Sequence, residues 1–138
     1  QGRLIETYDA MLELKRLGLV RCVGVSNFGV PHLQALEDHG RPKPAVNQIE
    51  VHPFSYKRQK AVIEHCRARG ILVQAFGSLG SGREVLLKDP TVCKVARAQQ
   101  RTPAQILLRW GHQLGFQLIP RSTSAERLRE NLDIFDFK

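Results

Sequence analysis

The sequence predicts an α/β fold built on a parallel sheet. Three observations carry the prediction: four short apolar runs recur along the chain, each leads into a segment with helical apolar spacing, and glycine or proline stands at most of the changeovers. Strands that alternate with helices pair in parallel through right-handed crossovers. With 138 residues, 42% apolar and 25% charged, the chain matches one ordinary domain and needs neither metal nor disulfide to build a core. Residues 1–138 are read as a single region.

Residues 1–17 place Leu4, Tyr8, Met11, Leu12 and Leu17 at roughly helical spacing, and Gly18 supplies the stop. VRCVGVSNF (20–28) is short and apolar enough for a buried strand, after which Gly29 and Pro31 open a helix through HLQALEDH. AVNQIEV (45–51) is the second predicted strand, closed by His52 and Pro53. YKRQKAVIEHCRARG (56–70) follows as a helix with Val62, Ile63 and Cys66 inward and Gly70 at its C-terminus. ILVQAF (71–76) is the third strand and runs into the glycine-rich loop GSLGSG (77–82). Helices are predicted at about 90–100 and 103–114, the second opened by a T-x-x-Q capping box, Thr102 to Gln105, with Pro103 as its first helical residue. FQLIP (116–120) is the fourth strand, and a last helix starts near Ser124.

The formal charge of +8 favours an anionic partner. Nucleic acid is not the expected one, because the basic residues are spread along helices such as 57–69 and the aromatics, 7% of the chain, do not interleave with them. The longest apolar runs are too short for a membrane span and the polar, charged N-terminus is unlike a signal peptide, so a cytoplasmic location is the default expectation. Cys22, Cys66 and Cys93 show no metal-ligand spacing and are expected as reduced core residues. No metal site is expected.

Parallel sheets bind ligands beyond the carboxyl ends of their strands. Those positions hold Ser26 and Asn27, Gln48 and His52, Phe76 with the glycine loop, and Arg121 with Ser122. Each alone is explained by a turn or a core hydrogen bond, but four on one edge point to a binding site. The richest is LIPRSTSAERLREN (118–131), where Arg121, Ser122, Thr123, Ser124 and Arg127 cluster as strand gives way to helix. Free backbone N–H groups, the helix dipole and arginine forks together favour an anion there.

In order and spacing, GVSNF (24–28), NQIEVHP (47–53), AFGSLGSG (75–82), TPAQILLRW (102–110) and IPRSTSAERLREN (119–131) make the sequence similar to the aldo-keto reductases, and the resemblance runs on to the final LDIFDF. It implies an eight-unit (β/α) TIM barrel of which this chain carries the C-terminal half, units five to eight and the helix before them, with the N-terminal half absent. It also implies NADPH-dependent reduction of aldehydes or ketones to alcohols.

The implied roles give Ser26, Asn27 and Gln48 to the nicotinamide carboxamide, and Phe76 to the nicotinamide ring face, where the family commonly has tyrosine. Leu79 and Ser81 would lie along the pyrophosphate. Arg121, Ser122, Thr123 and Arg127 would hold the adenosine 2'-phosphate, with Glu130 and Asn131 near the adenine. Two arginines and several hydroxyls suit a 2'-phosphate better than a bare ribose, which points to NADP rather than NAD. Gly77 and Ser78 depart from the commoner serine and proline of the loop.

The family's catalytic tetrad of aspartate, tyrosine, lysine and histidine belongs to the other half of the barrel. No catalytic residue is therefore assigned here, and the chain alone is expected to be inactive. The alternative expectation is a non-catalytic NADP-binding or assembly module. A half barrel would also expose strand edges at 21–26 and 116–120, inviting self-association. The carbonyl substrate would be met by the complete enzyme.

Overall fold

The computed structural model describes residues 2–82 and 84–138. Four parallel strands lie in one sheet in the order β1-β2-β3-β4: Val25–Ser26, Val46–Glu50, Leu72–Phe76 and Gln117–Leu118. Helices α1 (Gly2–Arg16), α2 (Val30–Asp38), α3 (Pro53–Ala68), α4 (Pro90–Gln99), α5 (Pro103–Gln113) and α6 (Ala125–Leu132) alternate with them, α4 and α5 both falling between β3 and β4. This is half of a (β/α)8 barrel, and the predicted fold class holds.

The helix ends follow from local chemistry. Asp89 caps α4 by accepting the Thr91 and Val92 amides at 2.9 and 3.0 Å, and Pro90 follows it where no N–H is needed. Thr102 and Gln105 form the predicted reciprocal box on α5, at 3.2 and 3.0 Å. Each helix-to-strand connection opens on a left-handed glycine: Gly18, Gly40, Gly70 and Gly115, with φ between 62° and 77°. At Gly70 the bonds from the Gly70 amide to the Arg67 carbonyl and from the Ile71 amide to the Cys66 carbonyl make the full Schellman pattern, at 3.1 and 2.9 Å.

The chain divides into two compact units, the first formed by residues 1–49 and 59–73, the second by 50–58 and 74–138. In the first, Ile5, Tyr8, Val23 and Leu36 form a buried cluster, with Met11, Leu12, Val25 and Phe28 packed against it. β1 pairs with β2 in the register Val25 to Asn47 and Ser26 to Gln48. Gly24 lets β2 approach closely here, since a Cβ would lie 3.1 Å from the Val46 carbonyl oxygen and 3.3 Å from its Cβ. In the second unit, Leu86, Val92 and Leu107 form a further cluster, and β3 pairs with β4 in the register Gln74 to Gln117 and Ala75 to Leu118.

Three expectations are corrected. The first strand is two residues long rather than spanning the run 20–28, because Gly24 and the exposed Arg21 and Cys22 precede it without ladder partners of regular pattern. Pro53 does not merely close β2; it is the first residue of α3, which begins three residues earlier than its apolar pattern suggests. Cys22 is exposed rather than a core residue, whereas Cys66 is buried and Cys93 is half-buried. Burial pushes the Cys66 thiol up from its ordinary pKa, which keeps it protonated.

Candidate functional site

In the first unit, the carboxyl ends of β1 and β2 carry Ser26, Asn27 and Gln48. The Gln48 carbonyl accepts from the Ser26 hydroxyl at 3.0 Å and from the Asn27 amide at 2.9 Å. Asn27 turns through a left-handed conformation with φ 57°, one of three non-glycine residues among those described to do so, and both Ser26 and Asn27 are exposed. The loop is fastened from beneath by Asn47, wholly buried, which donates to the Phe28 carbonyl at 2.8 Å and accepts from the Phe28 amide at 3.3 Å. Asn47 was not among the predicted site residues. Its sequence signal is a polar residue at the inward position of an apolar strand.

In the second unit, two adjoining clefts of about 500 and 540 Å³ share Leu79, Gly82 and Arg121. The remaining nine of the twelve predicted cofactor residues all line them: Phe76, Leu79 and Ser81 from the loop side, Arg121, Ser122 and Thr123 from the segment before α6, and Arg127, Glu130 and Asn131 from α6 itself. The loop reaches its shape through Gly77, Gly80, Ser81 and Gly82, all at positive φ. Gly77 stands at φ 66°, which favours glycine, and a Cβ there would lie 2.7 Å from Ser81 Oγ and 3.4 Å from Glu50 Cγ, so the serine hydroxyl would have to turn away.

At the other wall, Ser122 Oγ accepts the Ser124 amide at 3.1 Å and Ser124 Oγ accepts the Arg127 amide at 3.3 Å. The hydroxyls thus serve the turn and the helix start, while the two guanidinium groups are exposed. Arg121 and Arg127 have no acidic partner among the described residues, in contrast to Arg101, which Asp133 and Asp136 hold. Glu130 accepts from the Thr102 hydroxyl, so the α5 cap and the cleft wall are one construction. Gln105 extends it by donating to the Asp133 carbonyl at 2.8 Å. Thr102 and Gln105 were legible as a cap, not as part of a cleft.

Neither tyrosine lines these clefts. Tyr8 is 1% exposed and donates to the Pro42 carbonyl at 2.9 Å, and burial raises its pKa above the ordinary phenol value. Tyr56 packs its ring edge-on to Trp110 at 5.5 Å. A further apolar cavity of about 460 Å³, walled by Phe54, Val95, Trp110 and Phe137, contains none of the predicted residues. No cluster of His, Cys, Asp and Glu suited to a metal occurs among the described residues, and none of their helices is long and apolar enough to cross a membrane.

A parallel half barrel with an arginine-lined cleft beside the start of α6 defines the class, an α/β protein of the barrel type. Residues 3–138 match the Aldo/keto reductase family. An aldo-keto reductase of Mycolicibacterium vanbaalenii is 44% identical over 140 residues, covering 100% of this chain and 48% of the relative. The crystal structure of Gox0644 in its apo form superposes with a TM-score of 0.90 at 42% identity, covering 99% of this chain and 49% of that one. A mutant of Gox0644 in complex with NADPH gives a TM-score of 0.88 at 42% identity, covering 96% and 48%. The chain belongs to the aldo-keto reductase family, and it spans about half the length of the relatives it matches.

Proposed function

We propose that this chain is the cofactor-holding part of an NADP(H)-dependent oxidoreductase of the aldo-keto type, acting on small aldehydes or ketones. The observation that carries the reading is the pair of exposed, acid-free arginines, Arg121 and Arg127, facing a cleft at the N-terminus of α6. A 2'-phosphate there would meet two guanidinium forks and the positive end of the α6 dipole. The fit extends along the cleft: Leu79 and Ser81 present a loop of the tight, glycine-rich kind that lets backbone approach a pyrophosphate, and the half-exposed ring of Phe76 lies beyond it. Ser26, Asn27 and Gln48 offer amide and hydroxyl groups for a carboxamide. When bound, the dinucleotide supplies a hydride to the carbonyl carbon. This chain's residues bind and orient it, and the proton donor is assigned elsewhere in the complete enzyme, because Tyr8 and Tyr56 are both committed to packing.

Calorimetry with NADPH and NADH tests the assignment. The chain should prefer NADPH, and Arg121→Ala and Arg127→Ala should each weaken NADPH about tenfold or more while leaving NADH unchanged. Equal affinity for the two dinucleotides would overturn it. Incubation of the 138 residues with NADPH and a test aldehyde should give no turnover. The packed tyrosines also favour the second reading, a non-catalytic NADP-binding module, for which a stable dimer with undiminished NADPH affinity would speak.

A further inference from the structure

The mechanism above makes no use of Glu50, the last residue of β2. Its side chain lies against the glycine-rich loop: Cγ and Oε1 stand 3.4 and 3.6 Å from the point a Gly77 Cβ would occupy, and Ser81 Oγ closes the same space from the other side at 2.7 Å. The Gly77 end of the loop is therefore packed against the Glu50 side chain, with the hydroxyl of the loop's own Ser81 beside it. The carboxylate is itself aimed. Arg58 Nη2 is 3.4 Å from Oε2, and His52 Nε2 is 3.4 Å from Oε1.

His52 is oriented in turn. Its Nδ1 accepts the Ser55 amide at 3.2 Å, which places the ring proton on Nε2, the nitrogen facing Glu50. Ser55 is 3% exposed, and its hydroxyl accepts the His52 amide at 3.0 Å, so the turn that carries the imidazole is rigid. The Val51 amide donates to the Phe76 carbonyl at 3.2 Å and fixes the two strand ends from which Glu50 and the loop depart. His52 and Glu50 side chains are 13% and 31% exposed against 72% for Arg58, so the histidine contact is the sheltered one.

We propose that Glu50 is a positioning residue: steered by His52, it forms the wall that holds loop 77–82 in the shape presenting Leu79 and Ser81 to the cleft, and thereby sets how fast the dinucleotide leaves. A carboxylate repels phosphate, so its part is to shape the loop rather than to bind. The inference rests on the reading that the cleft takes NADP(H), but the first test does not. In the ligand-free chain, Glu50→Gln and Glu50→Ala should raise hydrogen exchange of the loop amides about tenfold at unchanged exchange in α4 and α5. His52→Gln should do the same to a smaller extent. With NADPH, both Glu50 variants should speed dissociation about tenfold in stopped flow while keeping the NADPH-to-NADH preference that Arg121→Ala abolishes.

Glu50→Gln keeps the side chain's size, so it separates aiming by charge from loss of a wall or of the fold. Loop exchange that stays at the parent rate in Glu50→Gln would overturn the inference. Failure of the parent chain to bind NADPH would instead count against the cofactor reading and leave the exchange result to decide on Glu50.

Discussion

Asn47 shows how a buried polar residue sets a functional edge. It satisfies both backbone groups of Phe28 with one amide, whose NH2 donates while its oxygen accepts. Asn47→Ala should cost about 2 kcal/mol by leaving those groups unpaired, read as a lower urea midpoint at unchanged slope. Asn47→Asp should recover part of the loss at most, since it lacks the donor. At this scale the sequence was legible where a residue type has few uses: Arg121 and Arg127 beside hydroxyls, or glycines in a loop. It was less so where context decides. Cys22 has the composition of a core position, but the strand it was assigned to forms only three residues later, leaving the thiol at the surface. Asn47 shows in the sequence only as a polar residue at an inward strand position, and what it and Glu50 fasten, Phe28 and Gly77, lies 19 or more residues away in the chain.

Among the elements, α5 carries the most information. Its cap joins three groups: the Thr102 hydroxyl accepts from the Gln105 amide and donates to Glu130, and the Thr102 amide donates to the Gln105 side-chain oxygen. Thr102→Ala should destabilise the protein by about 1–2 kcal/mol. It should also free Glu130, so that adenosine-containing ligands bind more weakly, whereas Thr102→Ser should preserve both. Thermal denaturation and NADPH titration of the two variants check this, and equal behaviour of the pair would remove Thr102 from the cleft wall. Helices were read closely from sequence because proline, capping residues and glycine mark their ends chemically. Strands were read as apolar runs, and β1 and β4 proved much shorter than those runs, because a ladder depends on a neighbour's register that apolarity does not encode.

For the molecule as a whole, charge is distributed unevenly between structural and exposed uses. Arg41 holds Asp9 through two bonds of 2.7 Å and Arg69 holds Glu37, and each guanidinium keeps its carboxyl below the ordinary pKa. A depressed folded-state pKa means stability that is present above the unfolded value, about 4, and lost as pH falls through the folded one. Urea midpoints should therefore drop on acidification below that value, and less so in Asp9→Asn. Parallel curves for the two proteins would remove the pair from the acid response. The parallel half barrel was legible because its repeat of strand and helix is a property of the entire chain. Its division into two compact units was not, since that depends on which segments of α3 and of the strands pack together.

The glycines that end the helices have one more consequence. Every return from helix to strand passes through a left-handed residue and is locked by backbone bonds, so the amino-terminal rim of the sheet is built like a set of fixed hinge pins. At the opposite rim two turns are short, 27–29 and 51–52, and two are longer, 77–89 and 119–124. Insertions and exchanges therefore meet least backbone constraint in those two longer turns, while the glycine-ended returns keep the strands in register.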